Sequence, residues 1–331
     1  MTAVQQIGNR PIVSYALDAL RSAGAREIAV VLPPEAADEI QATLGAEDGA
    51  GVELTYVPQG ERRDVVGALA AAVDFVGEDP CVSHLADGIL GRPLASFTGL
   101  LRDGFPDLVV LLQRGGQGAQ RLPLATRRLL GIEELDPSRS ALGLAGAALF
   151  GAGGLKRAYG PGCPPDAELD LVGVAERIRA AGGQLQVGPA LTWHRYRGNP
   201  SELLEMNRMV LDGLPPDTET IAADGNRIDG RVVIHPTAKV QSSLILGPVV
   251  IGADAQIEDA YIGPYTSVGD YAQIKGAEIE RSIILSEAQI MYLGERIQAS
   301  VIGRGARISR GFGLPRAIRM FVGDGATVSV S

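Results

Sequence analysis

The stretch LILGPVVIGADAQIEDAYIGPYTSVG, residues 244–269, decides the fold. In steps of five or six it gives Leu246, Ile251, Ile257, Ile262 and Val268. The same step runs back through Val240, Ile234 and Ile228. It runs forward through Ile274, Ile279, Ile284, Ile290, Ile297, Ile302 and Ile308, so an aliphatic residue returns fifteen times. Several are followed at once by glycine, as in Leu246-Gly247, Ile251-Gly252, Ile262-Gly263, Val268-Gly269 and Ile302-Gly303. A period near six is neither helical nor the alternation of an ordinary strand. It is the pattern of a parallel β-helix built from hexapeptides, here expected to be left-handed, with one short strand and one corner per hexad. Three hexads close a coil, so the run predicts about four to five coils. The aliphatic residue is expected to point into the prism and the small residue after it to let the chain turn. A β-sandwich would place its turns about every 8–12 residues instead.

The 331 residues are enough for two domains with full cores. The sequence is 46% apolar and 21% charged, ordinary for a globular chain. No apolar run is long enough to span a bilayer and no charged-then-apolar leader opens the sequence, so the expected location is the cytoplasm. A net charge of −9 argues against general affinity for nucleic acid or anionic membrane, though single phosphates can be held locally by arginine or backbone N–H groups. Cys81 and Cys163 are the two cysteines and read as two thiols. With three histidines besides, no structural zinc pattern exists.

Upstream of the hexads the rhythm changes. Pro11–Leu20 reads as an amphipathic helix, and Glu27–Leu32 (EIAVVL) as a buried strand. Helices then alternate with strands: helix Glu35–Leu44, strand Val52–Val57, helix Arg62–Val76, strand Cys81–Leu85, helix Leu94–Leu101, strand Asp107–Leu112. Leu142–Phe150 reads as a further strand. Asp166 is placed to cap a helix through Ala181, and Leu185–Val187 (strand) and Ser201–Leu211 (helix) follow. Such alternation predicts a Rossmann-like, three-layer αβα domain with a mostly parallel sheet. The expected division is 1–214 for this α/β domain, 215–225 for a linker marked by Pro215-Pro216, and 226–331 for the β-helix with a C-terminal cap at Leu314–Ser331.

Several blocks resemble the sugar-1-phosphate nucleotidyltransferases, and most of all the long form of glucose-1-phosphate thymidylyltransferase. These are Asn9-Arg10-Pro11-Ile12 with Tyr15, Leu20, Ala23-Gly24 and Glu27-Ile28; Tyr56-Val57-Pro58-Gln59; Asp79-Pro80 with Leu85-Ala86-Asp87-Gly88-Ile89-Leu90; Glu133 with Asp136-Pro137 and Leu144-Ala145-Gly146; Ser201 to Asn207; and Ile302-Gly303-Arg304-Gly305 with Pro315-Arg316-Ala317. The resemblance covers nearly the whole chain, including the domain order. It implies attack of a sugar phosphate on the α-phosphorus of a nucleoside triphosphate. That chemistry needs cations around the phosphates and a metal held by carboxylates.

The same resemblance exposes departures. The family's glycine-rich loop and its strand fall before Met1, and the lysine after the loop falls on Thr2. The glycine that lets the backbone approach the nucleotide falls on Asp64, where a carboxylate would repel phosphate. The sugar-phosphate lysine falls on Glu134. The second metal aspartate, in a W-x-D-T-G motif, falls at or beside Arg195 in Trp193-His194-Arg195-Tyr196-Arg197-Gly198. Asp87 (the first metal aspartate), Gln59, Glu133, Gly146 and Glu168 match the family. The expected nucleotide or substrate contacts are therefore Gln59, Asp87, Glu133, Gly146, Glu168, Arg195 and Arg197, with Asp87 also the candidate metal ligand. For several a plainer role stands beside this one: Asp87 as a turn residue, Gln59 as a polar loop residue, Glu168 in a first helical turn, and the His194–Arg197 cluster as a solvated surface loop. No catalytic residue is assigned and no cofactor beyond Mg²⁺ if the chain is active. The expected function is a non-catalytic or repurposed member binding a nucleotide, a sugar nucleotide or a partner. The alternatives are an active nucleotidyltransferase and a β-helix acyltransferase using His235. Gly115-Gly116-Gln117-Gly118 is a weak phosphate-loop candidate. A homo-oligomer, or a hetero-oligomer with a catalytic relative, is the expected assembly.

Overall fold

The structure, a computed structural model, describes residues 3–45, 51–101, 106–114, 124–132, 142–160, 171–215 and 225–310. From Arg227 to Ser309 the chain winds into a β-helix of fifteen short strands, numbered below β11 (Arg227–Asp229) to β25 (Arg307–Ser309). They form three five-stranded parallel sheets, one per face, and hence five coils. The expected aliphatics stack into columns that run the length of the prism. Ile245, Ile262, Ile279 and Ile297 stand above Ile228, and Ile251, Val268, Ile284 and Ile302 above Ile234. Ile257, Ile274, Ile290 and Ile308 stand above Val240. One position is corrected: in the second coil it is Ile245, not Leu246, that is sealed inside. The local sequence Leu244-Ile245-Leu246 offers three aliphatics in a row, and the register with Ile228 selects the middle one.

The reason given for the glycines is also corrected. Gly247, Gly252, Gly263 and Gly269 do not adopt positive φ; the corners do so at Asp254, Asp259, Tyr265, Tyr271, Arg281, Glu287 and Tyr292. These glycines are small because a neighbouring coil lies against them. A Cβ on Gly269 would stand 2.6 Å from Ser286 N, and one on Gly247 2.5 Å from Arg231 N. Gly303, in the last coil, has nothing within 4 Å of that position.

The first domain begins with a hairpin, β1 (Gln6–Ile7) and β2 (Arg10–Pro11), turned by Gly8 and Asn9 with φ of 54° and 64°. Two successive positive φ values suit a two-residue turn whose twist matches its strands. The elements that follow are α1 (Ile12–Ser22), β3 (Glu27–Leu32), α2 (Ala37–Gly45), β4 (Glu53–Pro58), α3 (Val65–Val76), β5 (Cys81–His84), β6 (Gly88–Leu90) and α4 (Ala95–Thr98). Then come β7 (Leu108–Arg114), α5 (Leu124–Leu129), β8 (Leu142–Phe150), α6 (Gly154–Ala158), α7 (Leu171–Ala180), β9 (Leu185–Leu191), β10 (Trp193–Arg195) and α8 (Pro200–Asp212). β8 shows the layering. Ala148 and Phe150 pack with α3, α6 and α7, while Ala145, Ala147 and Leu149 face α4 and Trp193. α1 and α2 cover β3 from the side opposite α3. The three-layer αβα expectation therefore holds, with a mixed sheet: β3 is parallel to β4 and β7 to β9, but β8 is antiparallel to both β5 and β7. Among the described residues the sheet is in two pieces, β3-β4 and β5-β8-β7-β9.

The two domains are joined by more than sequence. Asn207, fully buried on α8, accepts from Gly8 N at 2.8 Å and donates from Nδ2 to Tyr265 O at 3.2 Å. Asn9 donates from Nδ2 to Val268 O at 2.6 Å. Ile7, Ile12, Leu203 and Met206 close over Ile283 of the prism. The expected C-terminal cap lies outside the described residues.

Candidate functional site

Asp87 sits just past the carboxyl end of β5, where α/β sheets place ligands. β10 pairs antiparallel with β6 beside it, setting Arg195 opposite Gly88, and Tyr196 N donates to Asp87 O at 2.9 Å. That pairing delivers the Arg195 guanidinium to the carboxylate. Nε donates to Oδ1 at 2.9 Å and Oδ2 at 3.0 Å, and Nη2 lies 2.9 Å from Oδ2. The Asp87 side chain is 15% exposed and that of Arg195 35%. This is a forked, charge-assisted pair on a rigid two-strand base. Arg195 keeps N–H groups beyond those it gives to Asp87, because guanidinium carries five.

Trp193 forms the floor. It is 4% exposed and lies over two glycines: a Cβ on Gly146 would stand 2.1 Å from Trp193 Cζ2, and one on Gly88 2.3 Å from it. Gln113 Nε2 donates to Trp193 O at 2.9 Å. Gly146 is thus required by the indole, a role beyond its expected place among the ligand contacts. His84 completes the floor, with its ring edge-on to Trp193 at 5.4 Å and 69°. Nδ1 bonds to Leu85 O at 2.8 Å, which makes it the protonated nitrogen, and Nε2 is sealed from solvent with no partner. Burial holds its pKa down at about 4, so the ring is neutral at pH 7. Sequence reasoning passed over His84. Its signal, a polar residue at the end of an apolar strand-like run three positions before Asp87, was present.

Other expected contacts go elsewhere. Gln59 turns inward, and its Nε2 donates to Arg62 O and Asp64 O, each at 2.9 Å, so this amide nitrogen braces its own loop. Arg197 pairs with Glu202 at the start of α8: its N–H donates to Oε2 at 2.6 Å and its guanidinium lies 3.8 Å from Oε1. Asp64 is the N-cap of α3, accepting from Gly67 N at 2.8 Å and paired with Arg62 at 2.6 Å. Burial pushes its carboxyl up, but those hydrogen bonds and the Arg62 charge outweigh it and hold the pKa below the ordinary value. The α3 terminus that would otherwise face an anion is capped by the chain's own carboxylate. His194 is held below its usual pKa by burial. His235 is exposed, and its Nδ1 lies 3.0 Å from Thr237 Oγ1 and accepts from Thr237 N at 3.3 Å, a local turn arrangement. Cys81 is a free thiol whose pKa burial pushes up to about 12. Glu133, Glu134, Cys163, Glu168 and the 115–118 segment lie outside the described residues.

These residues do not fit Mg²⁺. Asp87 gives both oxygens to Arg195, and among the described residues no group of three His, Cys, Asp or Glu side chains converges on one point. A dication beside that carboxylate would meet a fixed guanidinium about 4 Å away, which costs about 4 kcal/mol per unit charge at an effective dielectric of about 20. No described helix is long and apolar enough to cross a membrane.

A family model described as "Nucleotidyl transferase" matches residues 2–102. The chain is 29% identical to a glucose-1-phosphate thymidylyltransferase of Streptomyces griseus and 31% identical to one of Streptomyces antibioticus. It is 32% identical to a low-salt glycan biosynthesis nucleotidyltransferase of Haloferax volcanii. Each match takes in 98% of this chain and 92% of the relative. A crystal structure assigned to a glucose-1-phosphate thymidylyltransferase of Bacillus anthracis, with sucrose bound, superposes with a TM-score of 0.50 at 17% identity, over 66% of this chain and 89% of that one. That last likeness carries the fold alone. The matches that run through the α/β domain and the β-helix together carry more: the chain belongs to the sugar-1-phosphate nucleotidyltransferase family.

Proposed function

We propose that this chain is a thymidylyltransferase-like protein repurposed from catalysis to metal-independent binding of an anionic ligand, a nucleotide or sugar nucleotide, at the Asp87–Arg195 site. The observation that carries the reading is the forked pair itself. A fixed cation stands where the family's chemistry calls for a bound one, and guanidinium grips phosphate with parallel hydrogen bonds. Trp193 and His84 supply a dry, neutral floor, which strengthens any hydrogen bond made above it. The second reading, an active nucleotidyltransferase, is favoured by the names of the relatives matched along nearly the full chain.

Two measurements separate them. Purified protein with Mg²⁺, a nucleoside triphosphate and glucose 1-phosphate is expected to release no pyrophosphate above background. Turnover of about 1 per second or more supports the active enzyme. Calorimetric titration with nucleotides, sugar phosphates and sugar nucleotides is expected to show binding that is indifferent to Mg²⁺ and lost in Arg195→Ala. Binding that requires Mg²⁺, or ignores Arg195, overturns the proposal. The assembly expected is an oligomer, supported by Tyr271 and Tyr292 standing 58% and 50% exposed on the prism. A monodisperse monomer by light scattering at micromolar concentration counts against it.

A further inference from the structure

The three faces of the prism are not alike. One, which carries Ile283 and Val301, lies under the first domain. Another is built from β13 (Lys239–Gln241), β16 (Gln256–Glu258), β19 (Gln273–Lys275), β22 (Gln289–Met291) and β25 (Arg307–Ser309). The middle residue of each strand points inward, so the first residues form an outer column: Lys239, Gln256, Gln273, Gln289 and Arg307. This face is graded in charge. Its second coil is flanked by Asp254 and Asp259, and its fifth coil carries Arg307 and Arg310. All four are exposed, and none makes an ion pair among the described residues. Glu258 and Glu287 are already matched, by Lys275 at 2.8 Å and Arg304 at 3.9 Å. Tyr271 is out of keeping: it stands at the corner of the third coil where the second and fourth coils have Asp254 and Glu287. Its φ is 59° and it is 58% exposed. A bulky side chain in the left-handed region costs backbone strain, and its ring gains nothing from water, so the position calls for a covering surface.

A second copy of the same face supplies that surface in one orientation. Let the two-fold axis lie in the interface, parallel to the strands, between the third and fourth coils; the two prisms then run antiparallel. Gln273 faces Gln289 of the second copy, and Gln256 faces its Arg307. Asp259 faces Arg310, so the acidic end of each copy lies on the basic end of the other, twice over. Tyr271 lies over the Glu287–Arg304 pair, where a guanidinium can stack on its ring. Other orientations set like charges together. With the axis along the prism, Asp254 meets Asp259. With the axis centred on the third coil, Lys275 meets Lys275 and Lys239 meets Arg307.

We propose that this face of the prism is a self-association surface: it binds the same face of a second copy of this chain, antiparallel, through its oppositely charged ends. The charge gradient fixes the register and the orientation, and the glutamine amides and Tyr271 fill the centre. The inference deepens the oligomeric assembly proposed above and rests on it, and it is independent of the Asp87–Arg195 site.

The test is sedimentation velocity of the full chain across micromolar concentrations. Two variants reverse one end each: Asp254→Arg with Asp259→Arg, and Arg307→Asp with Arg310→Asp. Arg281 already occupies a corner of positive φ, and all four sites are exposed, so both variants should fold, which thermal unfolding checks. Each is expected to raise the dimer dissociation constant at least tenfold. An equimolar mixture of the two is expected to associate again, because an all-basic face then meets an all-acidic one at both ends. Raising the ionic strength from about 0.01 M to about 1 M, which shortens the screening length from about 30 Å to about 3 Å, should weaken the wild-type dimer at least tenfold. Association that survives either reversal overturns this surface but leaves the oligomer standing. Folded variants that stay apart when mixed also overturn it. A wild type that is monomeric throughout overturns the surface and the oligomeric reading together.

Discussion

Replacing Arg195 by alanine should turn Asp87 from an occupied carboxylate into a cation ligand. The pair lies between two limits. Breaking a fully buried ion pair costs about 3–5 kcal/mol, and an exposed one is worth about 0–1. With Asp87 15% exposed and Arg195 35%, the expected loss is about 1–3 kcal/mol. At about 2–4 °C per kcal/mol for a domain near 200 residues, the melting temperature should fall by about 2–12 °C. Part of that loss is the uncompensated carboxylate, and Mg²⁺ can offset it. A site with Kd of about 1 mM at 10 mM Mg²⁺ recovers about 1.4 kcal/mol. The assay is thermal unfolding with and without 10 mM MgCl₂, at constant ionic strength, for wild type, Arg195→Ala, and Arg195→Ala with Asp87→Asn. Mg²⁺ should stabilise the single variant only. A wild type stabilised equally by Mg²⁺, or a single variant deaf to it, would refute the claim that the guanidinium stands in for a metal.

Two further outcomes follow from the floor of the site. His84 is held neutral by burial down to about pH 4, so between about pH 6.5 and 4 the unfolded chain binds a proton that the folded chain does not; stability should be full above pH 6.5 and fall by about 3 kcal/mol as the pH drops through that window, with His84→Gln flattening the profile in pH-dependent denaturation. Gly146→Ala puts a methyl 2.1 Å from Trp193 Cζ2 and should cost about 1–3 kcal/mol, visible as a lower urea midpoint and changed Trp193 fluorescence.

Much of this architecture was legible because its repeats are local. The hexads announce the prism, and the columns above Ile228, Ile234 and Val240 appear as read, apart from the Ile245 shift. The αβα alternation was equally plain, since strands such as β7 and β8 bury short apolar runs. What stayed hidden is non-local. β6 and β10 have three residues each and owe their existence to pairing across about a hundred positions of sequence, so no window reveals them. Gln59 resembles a contact residue, yet its amide nitrogen serves its own loop, a choice made by backbone carbonyls that sequence does not display. The Asp87–Arg195 proximity was legible as a motif departure, while its forked geometry needed the β6–β10 register.

The Asn207 side chain has one further consequence. One amide accepts from Gly8 at the hairpin tip and donates to Tyr265 on the prism, within a seam that excludes water. Neither domain can open at that seam without stranding the other's backbone groups. Heat should therefore find one transition, not two, and a chain cut between the domains should lose the coincidence of its calorimetric and van't Hoff enthalpies. The prism, with its long columns of isoleucine, would then act as a thermal anchor for the α/β domain.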